Sequence, residues 1–275
     1  MALDNCLVMG IVNRTPDSFY EGHPDLDEAA EFAARLVDEG ADLLDAGAIK
    51  AGPGQDVSEE QELERLIPFL GRIASEVSVP ISVETSRPEV ARRAIASGAA
   101  VINDVTGLDD SSLAGVCAGA GAALVVMHHG GQMRGRPRSP RYDDVVASVT
   151  GFWRERVELA RAAGVAEESI VVDPGLDFGK TTFHSLELVR RLDELVAQGL
   201  PVLVAHSRKD IVGETLGQLP DDRLAGGLAV VALSVAAGAA IIRTHDVAET
   251  VSVVRMVEAV MGRRPPEAPV RGLWD

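Results

Sequence analysis

A short β-branched run, a polar loop and an amphipathic helix recur in that order eight times along the chain, with a period of about 30 residues. The runs are LVMGIVN (7–13), DLLDAG (42–47), ISVET (81–85), AVINDV (100–105), ALVVMH (123–128), IVVDP (170–174), VLVAH (202–206) and AIIRTHD (240–246). Helices are expected over 26–39, 58–76, 87–97, 111–120, 143–163, 183–198, 221–237 and 247–261. Ser58-Glu59-Glu60-Gln61 reads as a capping box and Asp25-Leu26-Asp27-Glu28 as a weaker one, while Gly40, Gly98, Gly121, Gly164, Gly199 and Gly238 read as helix stops. Eight strand–helix units in series, with no linker or break in composition, predict a single α/β domain spanning 1–275 and closed as a (β/α)8 TIM barrel. The rival is an open doubly wound sheet, but that fold gathers its ligand residues at one switch point. Here polar residues end strands along the whole chain.

Composition narrows the partners. The chain has 275 residues, 46% of them hydrophobic, and a formal net charge of −16. That acidity argues against nucleic acid and anionic membranes, so basic residues gathered at one place carry more information than usual. No apolar run is as long as a membrane span, and the N-terminus lacks the basic start of a signal peptide. Cys6 falls in a strand region and Cys117 in a helix, which predicts free buried thiols and a reducing, cytoplasmic setting.

In a barrel, the strand ends converge on one cup. The residues delivered there are Asn13, Asp45, Lys50 in the loop after strand 2, Glu84, Asn103, His128-His129, Asp173, Ser207 with Lys209, and Arg243 with His245. A carboxylate (Asp173), an amide (Asn103) and an ammonium (Lys209) suit a flat heterocycle. A pterin or guanine edge offers two adjacent N–H donors to one carboxylate. Arg243, His245 and Asn13 suit an anion or a metal-bound diphosphate.

NRTPDSF, VETSRPEVA, INDVTG, DPGLDFGK with its following threonine and histidine, SRKDIVGETLG and RTHDV occur in this order over essentially the whole chain. The set closely resembles dihydropteroate synthases. The resemblance implies a pterin-binding barrel that joins 6-hydroxymethyl-7,8-dihydropterin diphosphate to p-aminobenzoate and releases pyrophosphate, with Mg²⁺ present and a homodimer as the assembly. By motif position it implies that Asn103, Asp173 and Lys209 hold the pterin with Phe178 nearby, and that Arg243 and His245 hold the diphosphate. Asn13 would serve the metal or anion, and Ser207 would line the p-aminobenzoate pocket. Lys209, Arg243 and His245 are thus the expected catalytic groups, the segment after Lys209 a short helix over the site, and the apolar helix at 224–237 a contributor to the dimer.

Three departures lie inside the motifs. The family's second loop reads approximately GGESTRPG, whereas this chain has Gly47-Ala48-Ile49-Lys50-Ala51-Gly52-Pro53-Gly54, so Ala51 and Gly52 replace Thr and Arg. Loss of a bidentate arginine on a diphosphate costs roughly 2–5 kcal/mol unless another cation replaces it, and Arg14, where a small residue is usual, and Lys50 are the candidates. Glu84 stands for the family's Asp, moving that carboxylate by about 1 Å. NRTPDSFY with KAGPG resembles a second, divergent actinobacterial branch of the family. Two readings stay open: a transferase using p-aminobenzoate or an altered amine, and a non-catalytic or repurposed pterin-binding paralogue. A pterin-dependent methyltransferase fits the SRK and RTHD segments less well. His128-His129 reads as loop structure, His184 as a helix cap, 134–141 as a solvated basic loop, and Gly119 and Gly121 as a helix end.

Overall fold

A computed structural model describes residues 5–14, 23, 25–49, 57–131 and 140–271. The strands are β1 (Leu7–Asn13), β2 (Leu43–Gly47), β3 (Ile81–Glu84), β4 (Val101–Asp104), β5 (Ala123–Met127), β6 (Ile170–Asp173), β7 (Leu203–Ala205) and β8 (Ile241–Thr244). The helices are α1 (Leu26–Asp38), α2 (Glu59–Ile73), α3 (Pro88–Ala96), α4 (Ser112–Ala120), α5 (Val145–Ala162), α6 (Thr182–Arg190), α7 (Leu192–Val196), α8 (Asp210–Leu216), α9 (Leu224–Ala236) and α10 (Val247–Val260). All strand pairs are parallel, in the order β6-β5-β4-β3-β2-β1-β8-β7. The ring closes between β6 and β7 through one parallel bridge, Val172 to Val202, and a bond from the Val172 N–H to the Pro201 carbonyl at 3.0 Å. This is the (β/α)8 barrel expected, not an open sheet.

Alternation along each strand builds two cores. Outward residues such as Val8, Leu44, Val83, Ile102, Leu124, Val172 and Ile242 join Phe69, Leu113, Trp153 and Leu188 in the layer under the helices. Inward residues Met9, Leu43, Val125, Leu203, Ala205 and Ile241 form a separate apolar plug. Two residues further along a strand, the side chain faces inward again one layer nearer the C-terminal mouth. On the even-numbered strands those positions are polar: Asp45 follows Leu43, Asn103 follows Val101, Asp173 follows Val171 and Arg243 follows Ile241. The plug therefore serves as the floor of a polar cup.

The helix punctuation follows the sequence closely. Ser58 and Gln61 form a reciprocal capping box, Asp25 accepts from the Asp27 and Glu28 amides, and Thr181 with His184 forms a second box. All six predicted glycine stops adopt positive φ. Both cysteines are buried and free. The helix expected over 183–198 is instead broken at Arg191, whose φ of −110° and ψ of 29° leave the helical region. Leu188, Val189, Leu192 and Leu195 are buried on both sides of that break, so the apolar period runs through it and conceals it. Among the described residues no helix is long and apolar enough to cross a membrane.

Candidate active site

The polar layer above the plug is one bonded network. Asp45, fully buried, accepts from Ser82 Oγ at 2.6 Å, Asn103 Nδ2 at 3.1 Å and Arg243 Nε at 2.6 Å. Arg243 Nη2 donates to Glu84 Oε2 at 2.8 Å, so one guanidinium holds two carboxylates from neighbouring strands. Burial opposes the charge on Arg243, but Asp45 and Glu84 outweigh it and hold its pKa above the usual range. Glu84 is pushed up to about 7, chiefly by burial with some repulsion from Asp45, against the pull of Arg243 and Lys209.

Asp173 stands across the cup. Its Oδ1 accepts the Gly175 amide at 2.6 Å, and its backbone carbonyl accepts Trp153 Nε1 at 3.2 Å and the His128 amide at 2.9 Å. Burial raises its pKa, opposed first by Lys209. Lys209, brought from the other side of the β6–β7 seam, donates to the Leu176 carbonyl at 3.1 Å and lies 4.8 Å from the centre of the Phe178 ring. Burial lowers its pKa while Asp173 and Asp177 raise it. Asp177 Oδ2 accepts the Ile211 amide at 2.9 Å, which anchors α8 to the β6–α6 loop. α8 is the short helix expected after Lys209.

The β7 and β8 ends are tied together. Ser207 Oγ lies 3.1 Å from His245 Nδ1 and accepts the His245 amide at 3.2 Å. Burial, then Arg243, Arg208 and Lys209, lower the His245 pKa to about 3, so its imidazole is neutral near pH 7. It can donate an N–H to an anion but adds no charge. Arg208, at φ 58°, pairs with Asp246 and donates to the Pro220 and Asp221 carbonyls at 3.0 and 2.8 Å. Arg223 donates to the Arg208 carbonyl at 2.7 Å, so a chain of arginines braces the turn that presents Ser207 and Lys209.

The structure thus brings Glu84, Asn103, Asp173, Phe178, Ser207, Lys209, Arg243 and His245 to one cup. Asn13 ends β1 beside Gly47 of β2. The expectation for Arg14 needs correction. Position 14 lies on the opposite face from inward-facing Asn13, and its guanidinium sits 5.4 Å from the Phe69 ring under the helices while donating to the His23 carbonyl at 2.5 Å and to that of Asp25. It braces the start of α1 and does not stand in for the missing loop arginine. Lys50, with Ala51 and Gly52, lies outside the described residues, as does 134–139 of the basic loop.

Sequence reasoning placed Asp45 at the mouth but gave it no role. The usable signal was its position two residues beyond inward-facing Leu43. It also gave no role to Lys180, whose Nζ reaches His128 Nδ1 at 2.8 Å and the carbonyls of His128, Gly175 and Phe178 at 3.0, 3.0 and 2.9 Å. His128 and His129 pack edge-on against Phe152, with ring centres 5.0 and 5.8 Å away, in keeping with a structural reading. Among the described residues no group of three or more His, Cys, Asp or Glu side chains could hold a metal ion.

Comparison with known proteins places this cup in a family. The pterin binding enzyme family matches residues 9–245. The Inactive dihydropteroate synthase 2 of Mycobacterium leprae is 49% identical over 285 residues, covering 99% of this chain and 97% of that one. The Yersinia pestis dihydropteroate synthase, solved with a sulfonamide drug complex, superposes with a TM-score of 0.92 at 38% identity, covering 96% of this chain and 97% of the other. The Coxiella burnetii dihydropteroate synthase in complex with pteroic acid gives a TM-score of 0.87 at 37% identity, with 94% of each chain covered. Sequence motifs, barrel and polar cup agree, and the chain belongs to the pterin-binding enzymes as a member of the dihydropteroate synthase family.

Proposed function

We propose that the cup binds 6-hydroxymethyl-7,8-dihydropterin diphosphate and transfers its pterin-methylene group to p-aminobenzoate or a related amine, releasing pyrophosphate in folate biosynthesis. The observation that carries this reading is the gathering of Asp173, Asn103 and Lys209 over an apolar floor, next to Arg243 and His245. Asp173 accepts the adjacent N–H donors of the pterin edge, and Asn103, oriented by its bond to Asp45, presents its amide carbonyl to a further ring N–H. Lys209 donates to a ring acceptor, with Phe178 packed against it. The family's pteroic acid complex, a pterin joined to 4-aminobenzoate, supports the pairing of substrates.

In the reaction the methylene C–O bond breaks, the diphosphate leaves with the electron pair, and the amine nitrogen forms the new C–N bond and loses a proton. Arg243 stabilises the departing charge and His245 donates a neutral hydrogen bond, while Ser207 holds the imidazole and faces the amine pocket. Asp45 and Glu84 are bonded to Arg243. Asn13, at the end of β1, would hold Mg²⁺ together with the diphosphate, and the ion would supply further positive charge to the leaving group. We assign the protein to the cytoplasm, where the buried thiols stay reduced. We also propose a homodimer covering exposed Leu233 of α9 with Met256 and Val260 of α10.

A second reading, pterin binding without turnover, is favoured by one observation: Arg243 is already neutralised by two buried carboxylates. The inactive Mycobacterium leprae relative is consistent with it. Calorimetry with the pterin diphosphate and Mg²⁺, followed by p-aminobenzoate and a pyrophosphate assay, separates the two. Synthase chemistry requires pyrophosphate release that depends on both substrates. Saturable pterin binding with no release on any arylamine selects the second reading, and failure of the pterin to bind removes both.

A further inference from the structure

The two carboxylates on Arg243 are not equivalent. Asp45 is sealed from water and accepts three hydrogen bonds, from Ser82, Asn103 and Arg243. Glu84 lies at the mouth side, 9% exposed, and Arg243 Nη2 is its one hydrogen-bond donor among the described residues. An anion that reaches for Arg243 meets the Glu84 carboxylate on the same guanidinium edge. Moved off Arg243, a charged Glu84 would face Asp45 from β2, Glu62 from α2 and the incoming anion. Opposite charge would then come from Lys209 after β7, since Arg87 is bound to Glu62 at 2.6 Å and Asn103 on β4 is uncharged. That state is relieved if the carboxylate becomes a carboxylic acid.

We infer that Glu84 is a specificity-determining residue that competes with the anionic end of the ligand for Arg243, so that an anion is seated as Glu84 takes up a proton. The exchange balances: the Arg243–Glu84 bond breaks, a bond from Arg243 Nη2 to a phosphate oxygen forms, and one proton passes from solvent to Glu84. The site thereby accepts a neutral heterocycle at any pH near 7 but admits a polyanion preferentially on the acid side. Burial pushes the Glu84 carboxyl up to about 7, which brings the coupling into the physiological range. The inference rests on the proposed diphosphate site and adds a condition for its occupancy.

The test is calorimetry of inorganic pyrophosphate, without metal, at pH 6 and pH 8 on the wild type and on Glu84→Gln. Both proteins share the ionisation of the ligand, so the difference between them isolates Glu84. Between the two pH values the wild type should lose about tenfold more affinity than the variant. Titrations in two buffers of different ionisation enthalpy should show the wild type taking up about half a proton beyond the ligand's own near pH 7, rising toward one near pH 8. Glu84→Asp, which keeps a carboxylate, should retain the extra pH dependence. If Glu84→Gln does not fold, the buffer pair on the wild type decides. An identical pH dependence in both proteins, or no extra proton uptake, overturns the inference and leaves the proposed function standing. Absence of pyrophosphate binding to either protein at both pH values overturns the inference and the diphosphate reading together.

Discussion

Lys180 is a cation 4% exposed whose hydrogen-bond partners are all neutral: an imidazole and three backbone carbonyls. Burial, with repulsion from Lys209, lowers its pKa to about 7 against the pull of Asp173. Its work is mechanical, since it fastens the end of β5 to the loop whose Leu176 carbonyl and Phe178 ring support Lys209. Lys180→Met should lower stability by about 1–3 kcal/mol in urea unfolding, because buried carbonyls lose their donor. Pterin affinity should fall with it as Lys209 loses its support. The pH dependence carries a second signature. Between pH 7 and 10.5 the unfolded lysine holds a proton that the folded one has released, so wild-type stability should rise with pH through that window. The methionine variant should lack that rise.

The β6–α6 loop is where one element most tightly constrains another. A Cβ on Gly175, at φ 64°, would lie 2.1 Å from the His128 carbonyl oxygen, and one on Gly179, at φ 59°, would lie 2.4 Å from that of His129. Gly175→Ala should therefore destabilise by about 2–5 kcal/mol, adding left-handed strain to a backbone clash. Gly199→Ala, at φ 87° with open space around it, should carry the strain of about 1–2 kcal/mol and little more. Paired thermal melts would rank them. At this scale much could be read in advance: the strand–helix order, the caps at Ser58 and Asp25 and the glycine stops are local signals, and the structure repeats them. Asn103, Asp173, Lys209 and Arg243 were legible too, because a barrel sends every strand end to one cup. Pairing was not legible. That Arg243 would be taken by Asp45 and Glu84 depends on the stagger between strands 198 and 159 residues apart in sequence. Arg14 misled because charge type was read without asking which face of β1 position 14 occupies.

For the molecule as a whole, opposing buried groups shape acid stability. Burial holds His128, His206 and His245 to pKa values of about 3, 4 and 3, so below pH 6.5 the unfolded chain takes up protons that the fold refuses. Stability should fall as pH drops through that range. Glu84 works the other way, since between pH 7 and 4.5 the folded chain holds its proton and the unfolded chain does not. Glu84→Gln should therefore steepen the acid loss by as much as one proton, about 1.4 kcal/mol per pH unit, in urea titrations from pH 6.5 to 4.5. The seam between β6 and β7 bears on the molecule differently. With one bridge between the strands, Asp173 on one lip and Lys209 on the other, the barrel is an arch joined most thinly at its crown. A heterocycle gripped by both residues would be a clamp across that joint, so affinity and mechanical stiffness would be coupled, and a poor ligand would be one that left the joint to its single bridge.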